Sequence, residues 1–207
     1  MKTYIERIFP TSLYVFDDVL EPEYIDSMRE DIIQSSKINL EKRKTNWQSE
    51  KNPKLYENPK YKALGEAALD LSKKYLIDLK YQFEDLVLTD MWSNILKPQE
   101  THAPHTHSNN FVSGVYYLQT TSNSPAITFF DPRGQTNVIQ PHQKEFTMYN
   151  STRYQMPAMV NRMILFPSWL QHYVPVNDSG KDRISIDFNC MLKGLVGEPT
   201  NFQSNTF

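Results

Sequence analysis

The spacing of apolar residues changes once along the chain, and the change divides it in two. Between Pro22 and Ser36, Ile25, Met28 and Ile32 recur at helical spacing, with Pro22 near the first turn and acidic residues early in the segment. The pattern predicts a surface helix. A second helical stripe, made by Tyr61, Leu64, Ala68, Leu71 and Tyr75 among charged neighbours, predicts a helix from about Asn58 to Leu79. From Glu84 onward the runs become short and rich in Val, Ile, Phe, Tyr and Thr: DLVLTDMWSNIL, FVSGVYYLQT, AITFF, RMILFP, HYVPV and RISIDFN. Clusters of Pro, Gly, Asn and Ser separate them at hairpin-like intervals. The expected architecture is mainly β with N-terminal helices (α+β), helical over about 1–80 and a β core over about 84–195. Strands with no helices between them leave a sandwich, a jelly roll or a barrel open. No repeat, low-complexity tract or linker composition interrupts the 207 residues, so a single domain over 1–207 is expected.

Charge narrows the classes of partner. With 22 basic and 24 acidic residues interspersed, the formal net charge of −2 gives no general attraction to phosphate backbones or anionic membranes. A nucleic-acid partner is disfavoured. The N-terminal stretch MKTYIERIFPTSLYVFDD carries charges and a proline where a secretory signal needs an apolar run, and no stretch is long enough to span a bilayer. A cytoplasmic protein with no membrane partner is expected. The one cysteine, Cys190, reads as a small apolar residue on a strand.

Three of the five histidines crowd into HAPHTHSNNFVSGVYYL, residues 102–118. Imidazole is costly to bury without a partner, so packing alone does not account for them. On an extended strand His105 and His107 project to one side and can bind a single ion. His102 has the opposite parity and lies beyond Pro104, which makes it a surface or supporting residue. His172, at the entrance to HYVPV, supplies a third ligand from elsewhere, whereas His142 in QPHQKE reads as a loop residue. Further on, RISIDFN sets Arg183 and Ser185 on one face of a strand. A planar guanidinium with a hydroxyl beside it can form a carboxylate clamp; a surface pair on a sheet edge is the plainer reading of the two residues alone, and their place eleven positions after His172 favours the clamp.

These motifs carry a resemblance. HTHSNNFVSGVYYL, FFDPR, LFPSWLQHYVPV and RISIDFN resemble the 2-oxoglutarate- and Fe(II)-dependent dioxygenases, and more closely a bacterial and phage subgroup of them. The similarity begins weakly at IFPTSLYVFDDVL, includes NWQS at 46–49, and is most specific between Trp92 and Asn189. It implies a double-stranded β-helix (jelly-roll) core, here buttressed by two helices. It also implies Fe(II), 2-oxoglutarate and O2 as cofactor and co-substrates, with His105, His107 and His172 on the metal and Arg183 with Ser185 on 2-oxoglutarate. Tyr117 matches a tyrosine that reaches the co-substrate, and Asn94 is either a further polar contact or a strand-end asparagine. Hydroxylation of an organic substrate, a small molecule or a peptide side chain, with release of succinate and CO2, would follow.

One departure stands out: His107 occupies the place of the carboxylate in the usual two-histidine, one-carboxylate triad. Asp187, Asp131 and Glu100 are therefore alternative metal ligands, Asp187 first because it shares the parity of Arg183 and Ser185. Two other readings fit three histidines: a non-catalytic jelly-roll metal module, and a cupin-like three-histidine dioxygenase that uses no keto acid. Trp92, Phe111, Tyr116, Phe166 and Trp169 are expected mostly in the core, with a substrate mouth as the alternative. One helix could instead build a homodimer contact.

Overall fold

The computed structural model describes residues 1–39, 53–134, 138–198, 200 and 202–207. NWQS at 46–49 lies outside the described residues. Helix α1 spans Pro22–Asn39 and α2 spans Lys62–Asp78, preceded by 3-10 turns at Leu55–Glu57 and Pro59–Tyr61. Both match the helical stripes, α1 running three residues past Ser36. The Asn58 side chain accepts from the Lys60 backbone N–H and starts the second 3-10 turn. The Tyr61 hydroxyl then donates to Asp31 at 2.8 Å, tying the entrance of α2 to α1.

Among the described residues, eleven strands follow or flank these helices. They are β1 (Tyr14–Phe16), β2 (Asp85–Leu96), β3 (His102–His105), β4 (Val112–Gln119), β5 (Ile127–Phe130) and β6 (Arg153–Met156), then β7 (Met163–Pro167), β8 (His172–Val174), β9 (Arg183–Lys193), β10 (Leu195–Val196) and β11 (Asn205–Thr206). A five-stranded sheet runs in the order β1-β7-β4-β9-β2, a four-stranded sheet in the order β3-β8-β5-β6, and β10 pairs with β11. The ladders are antiparallel. The chain crosses repeatedly between the two main sheets, and the result is a jelly roll.

Two cores flank the large sheet. On its outer face Ile25, Met28 and Ile32 of α1 and Leu64, Ala68, Tyr75 and Leu76 of α2 pack against Tyr116, Leu165, Ile186 and Phe188. On its inner face Val115, Tyr117, Ile164 and Phe166 meet Ile127 and Phe129 of the small sheet. Each fully buried large apolar side chain contributes roughly 1.5–3 kcal/mol, so the helices hold the large sheet from behind. They leave its other face to the site.

A β-bulge decides which residues of β2 reach that inner face. The register against β9 slips between Leu88 and Asp90. Leu86 and Leu88 therefore pack on the helices before the bulge, and Met91 and Ile95 do so after it. Trp92 and Asn94 are thereby turned inward. Asn161 fixes the N-terminal crossing: its side chain accepts from the Leu20 N–H at 2.9 Å and the Tyr116 hydroxyl at 2.7 Å, and donates to the Leu20 carbonyl at 2.7 Å.

Gly114 sits opposite Phe188 in the β4–β9 ladder, and the Phe188 ring lies where a Cβ would stand. Gly114→Ala should therefore destabilise the fold by about 1–3 kcal/mol in urea denaturation, the usual cost of overpacking. Phe188→Leu in the same chain should recover part of that loss, since it vacates the overlap.

Candidate functional site

Strand β3 is the shortest route to the site and its least regular. His102 pairs with Val174 and His105 with His172, so three residues of β3 span what two residues of β8 span. The extra residue falls beside Pro104, which has no N–H to give to a ladder. It resets the parity. His102 consequently faces the same side as His105, their ring centroids 4.5 Å apart, instead of the opposite face that simple alternation predicts.

His107 lies past the end of β3 and is held by its backbone, whose N–H donates to the Ser168 carbonyl at 3.0 Å. Two residues on, the Leu170 carbonyl accepts from His172 Nδ1 at 2.9 Å. A carbonyl can only accept, so His172 carries its proton on Nδ1 and presents the Nε2 lone pair. His105 is set in the same tautomer by the Ala103 carbonyl, 2.8 Å from its Nδ1. One turn, Pro167 to Leu170, thus orients two of the three imidazoles. That turn is itself pinned: Ser168 Oγ lies 2.9 Å from Ser113 Oγ, which donates to Asn189 Oδ1 at 2.7 Å.

The outcome is convergence. One ring nitrogen from each of His105, His107 and His172 lies within 4.8 Å of the other two, and the Nε2 atoms of His107 and His172 are 3.3 Å apart. Among the described residues these three form the group able to hold a metal ion. Phe129 and Phe166 wall His172 at ring distances of 5.9 and 4.8 Å, and Trp92 stands 5.8 Å from His107. Burial, reinforced by the neighbouring imidazoles, pushes His172 and His102 down to about 3 and His107 to about 4. His107 and His172 are thus neutral at pH 7, as metal ligation requires, and so is His102 beside them.

Arg183, Ser185 and Asp187 project from β9 into a cavity that His102, His107 and His172 also line. Arg183 is 3% exposed; its Nη2 donates to the Tyr117 hydroxyl at 3.3 Å, and its guanidinium carbon lies 4.8 Å from the centre of that ring. Its Nε has no hydrogen-bond partner. Asp187 accepts from Ser185 Oγ at 3.2 Å and from Asn94 Nδ2 at 2.6 Å. Burial pushes its carboxyl up to about 6, although Arg183, Ser185 and Asn94 pull the other way.

The expected residues therefore come together: three histidines on one side, with Arg183, Ser185, Tyr117 and Asn94 along the strands facing them. The alternative carboxylates do not join the metal cluster. Asp131 pairs with Arg133 at 2.6 Å, Glu100 accepts from the Lys97 N–H at 2.9 Å, and Asp187 is engaged as described. His142 is an exposed loop residue. Tyr116 and Phe166 are core residues, while Trp169 is 58% exposed. Sequence spacing missed His102, whose turn inward depends on the bulge, and the grip of Asp187 on Ser185 and Asn94.

Residues 90–189 match the family model described as "Putative 2OG-Fe(II) oxygenase". Over that segment, just under half of the chain, the protein is similar to this family. No curated protein sequence matches it. Solved structures share the fold over most of the chain. A prolyl-4-hydroxylase from Pseudomonas putida is 13% identical with a TM-score of 0.59, the match covering 89% of either chain. The non-heme alpha-ketoglutarate-dependent epimerase SnoN from nogalamycin biosynthesis is 12% identical with a TM-score of 0.63, covering 93% of this chain and 81% of SnoN. HygX from Streptomyces hygroscopicus, solved with nickel and 2-oxoglutarate bound, is 13% identical with a TM-score of 0.59, covering 87% and 83%. At such identities the likeness concerns the fold. Among the described residues no helix is long and apolar enough to cross a membrane.

The neutral histidines set a pH window for the metal-free protein. Their unfolded-state value is 6.5, and in the fold they resist protonation until about 4 or below, so stability falls as pH drops through that interval. Asp187, raised from 3.8 to about 6, acts in the opposite sense and offsets one of the three. The melting temperature measured in chelator should therefore decline from pH 7 to pH 4.5. A flat profile would contradict the neutral, buried state of these rings.

Proposed function

We propose that the protein is a 2-oxoglutarate-dependent oxygenase that hydroxylates an organic substrate. The observation that carries this reading is one cavity with three convergent imidazoles at one side and a buried, partly unpartnered guanidinium on the facing strand. The donor set suits the metal. Three neutral nitrogen ligands fit Fe(II) and leave coordination positions open, and a buried Arg183 Nε without a partner awaits an anion. His105, His107 and His172 would hold Fe(II), and Arg183, Ser185, Tyr117 and Asn94 would form the 2-oxoglutarate pocket. When bound, Fe(II) with 2-oxoglutarate and O2 supplies oxidation of a C–H bond, with succinate and CO2 as co-products.

The chain's own residues would bind and orient. The Ala103 and Leu170 carbonyls keep the Nε2 lone pairs of His105 and His172 available before the ion arrives. Tyr117 keeps the Arg183 fork in a fixed plane, so that a carboxylate would meet it in one orientation. Phe129 and Phe166 keep water from the inner side of the histidines. No paired carboxylates or activated nucleophile are required of the protein. The substrate is an organic molecule with an accessible C–H bond, a small metabolite or a peptide side chain.

The test is ligand-linked stability combined with turnover. Zn(II) or Mn(II) should raise the melting temperature of the wild-type protein, and 2-oxoglutarate should raise it further only with metal present. With Fe(II) and O2, 2-oxoglutarate should be converted to succinate. Arg183→Ala should weaken 2-oxoglutarate binding by about 10- to 150-fold, the worth of a hydrogen bond to a charged group, while keeping the metal-dependent shift. His172→Ala should lose the metal-dependent shift itself. A protein stabilised by metal yet indifferent to 2-oxoglutarate would be a structural metal module or a keto-acid-independent oxygenase.

A further inference from the structure

The clamp on β9 contains a carboxylate of its own. Asp187 lines the same cavity as Arg183 and Ser185, and it holds the Ser185 hydroxyl and the Asn94 amide through its two oxygens. A serine hydroxyl has one proton to donate. While Asp187 is ionised that proton points at Asp187, and an incoming carboxylate would meet an oxygen lone pair and a like charge. We propose that Asp187 is an internal competitor for the dicarboxylate pocket, and that 2-oxoglutarate binds as Asp187 takes up a proton from solvent.

Protonation reverses the hydrogen bond. The carboxylic acid O–H of Asp187 donates to Ser185 Oγ, and the Ser185 proton is freed to turn to the ligand. Asn94 Oδ1, buried and without a partner, offers a second acceptor for the acid proton after amide rotation. The charged and titratable groups around Asp187 favour this exchange. From β9 itself Arg183 is the cation that opposes protonation, and it is the group a dicarboxylate would engage. From β4 Tyr117 is held neutral by burial, which pushes it up to about 12. From the facing sheet and the segment after β3, His102, His107 and His172 are neutral. β2 faces Asp187 with Trp92 and Asn94, neither ionisable. Metal, when present, is in place before and after the ligand arrives, so the added charge is that of the dianion alone. The Asp187 carboxyl, already raised to about 6 by burial, is therefore raised again on binding.

This inference rests on the 2-oxoglutarate reading and is separable from it. The experiment measures the 2-oxoglutarate dissociation constant of Zn(II)-loaded protein from pH 6 to pH 8.5, for wild type and Asp187→Asn. Wild-type binding should weaken as pH rises, by up to about tenfold per unit, the slope for one linked proton. Asp187→Asn should be flat across the range and tighter than wild type at pH 8. Histidine protonation would loosen both proteins alike, and at the opposite end of the range. Titration of the wild type at pH 7.5 in buffers of different ionisation enthalpy needs no variant and should report uptake approaching one proton per ligand. Parallel pH profiles, zero proton uptake, or uptake that persists in Asp187→Asn would overturn the inference. Absence of any 2-oxoglutarate binding by the wild type would overturn the oxygenase reading and this inference with it.

Discussion

Strand β9 is paired on both edges, with β2 on one side and β4 on the other, and the two-residue alternation of its side chains sorts the molecule into scaffold and site. Ile184, Ile186, Phe188 and Cys190 point to the helices; Arg183, Ser185, Asp187 and Asn189 point to the opposite side. The two sets cannot be adjusted separately. A slip of one residue would bury the guanidinium among the helices and expose Phe188 in the cavity. The pairing is protected against such a slip by Gly114, whose missing side chain leaves room for the Phe188 ring at one register alone.

The same strand governs the histidines at a distance. Asn189, at its far end, accepts from Ser113, which is joined to Ser168; the carbonyls of Ser168 and Leu170 then set the backbone of His107 and the tautomer of His172. Hydrogen-bonded, buried polar groups of this kind are rigid because every alternative leaves one of them unsatisfied. The convergence of the three imidazoles is thus an extension of the large sheet, although His105 and His172 belong to the small one.

Most of this was legible in the residues. Short runs rich in Val, Ile, Phe, Tyr and Thr marked β2, β4, β5, β7, β8 and β9 within a few positions, because these strands are largely buried, and the helical stripes of α1 and α2 were plain, because each helix buries one apolar face. The short strands β1, β6, β10 and β11 carry too few buried residues to leave a pattern; β6, for one, is exposed at three of its four positions. The candidate histidines stood out by crowding three into six positions, and Arg183 by its place after His172 in the order of motifs. The bulge beside Pro104 was not, since a proline shows where a ladder is interrupted without showing that a residue is gained. The attachment of Asp187 to Ser185 and Asn94 was hidden for a different reason: parity put these groups on one face, while their pairing depends on the approach of β2 after its own bulge.

Alternation on β9 also segregates reactive chemistry. Cys190, the one sulfhydryl in the chain, is wholly buried on the helical side, 3.8 Å from the Ser72 hydroxyl, and burial pushes its thiol up to about 12. Nucleophilic sulfur is the thiolate form, which is scarce there at neutral pH. An iron centre that leaks peroxide would thus find no ready sulfenic-acid target in its own protein, the sheet standing between the source of damage and the group most easily harmed.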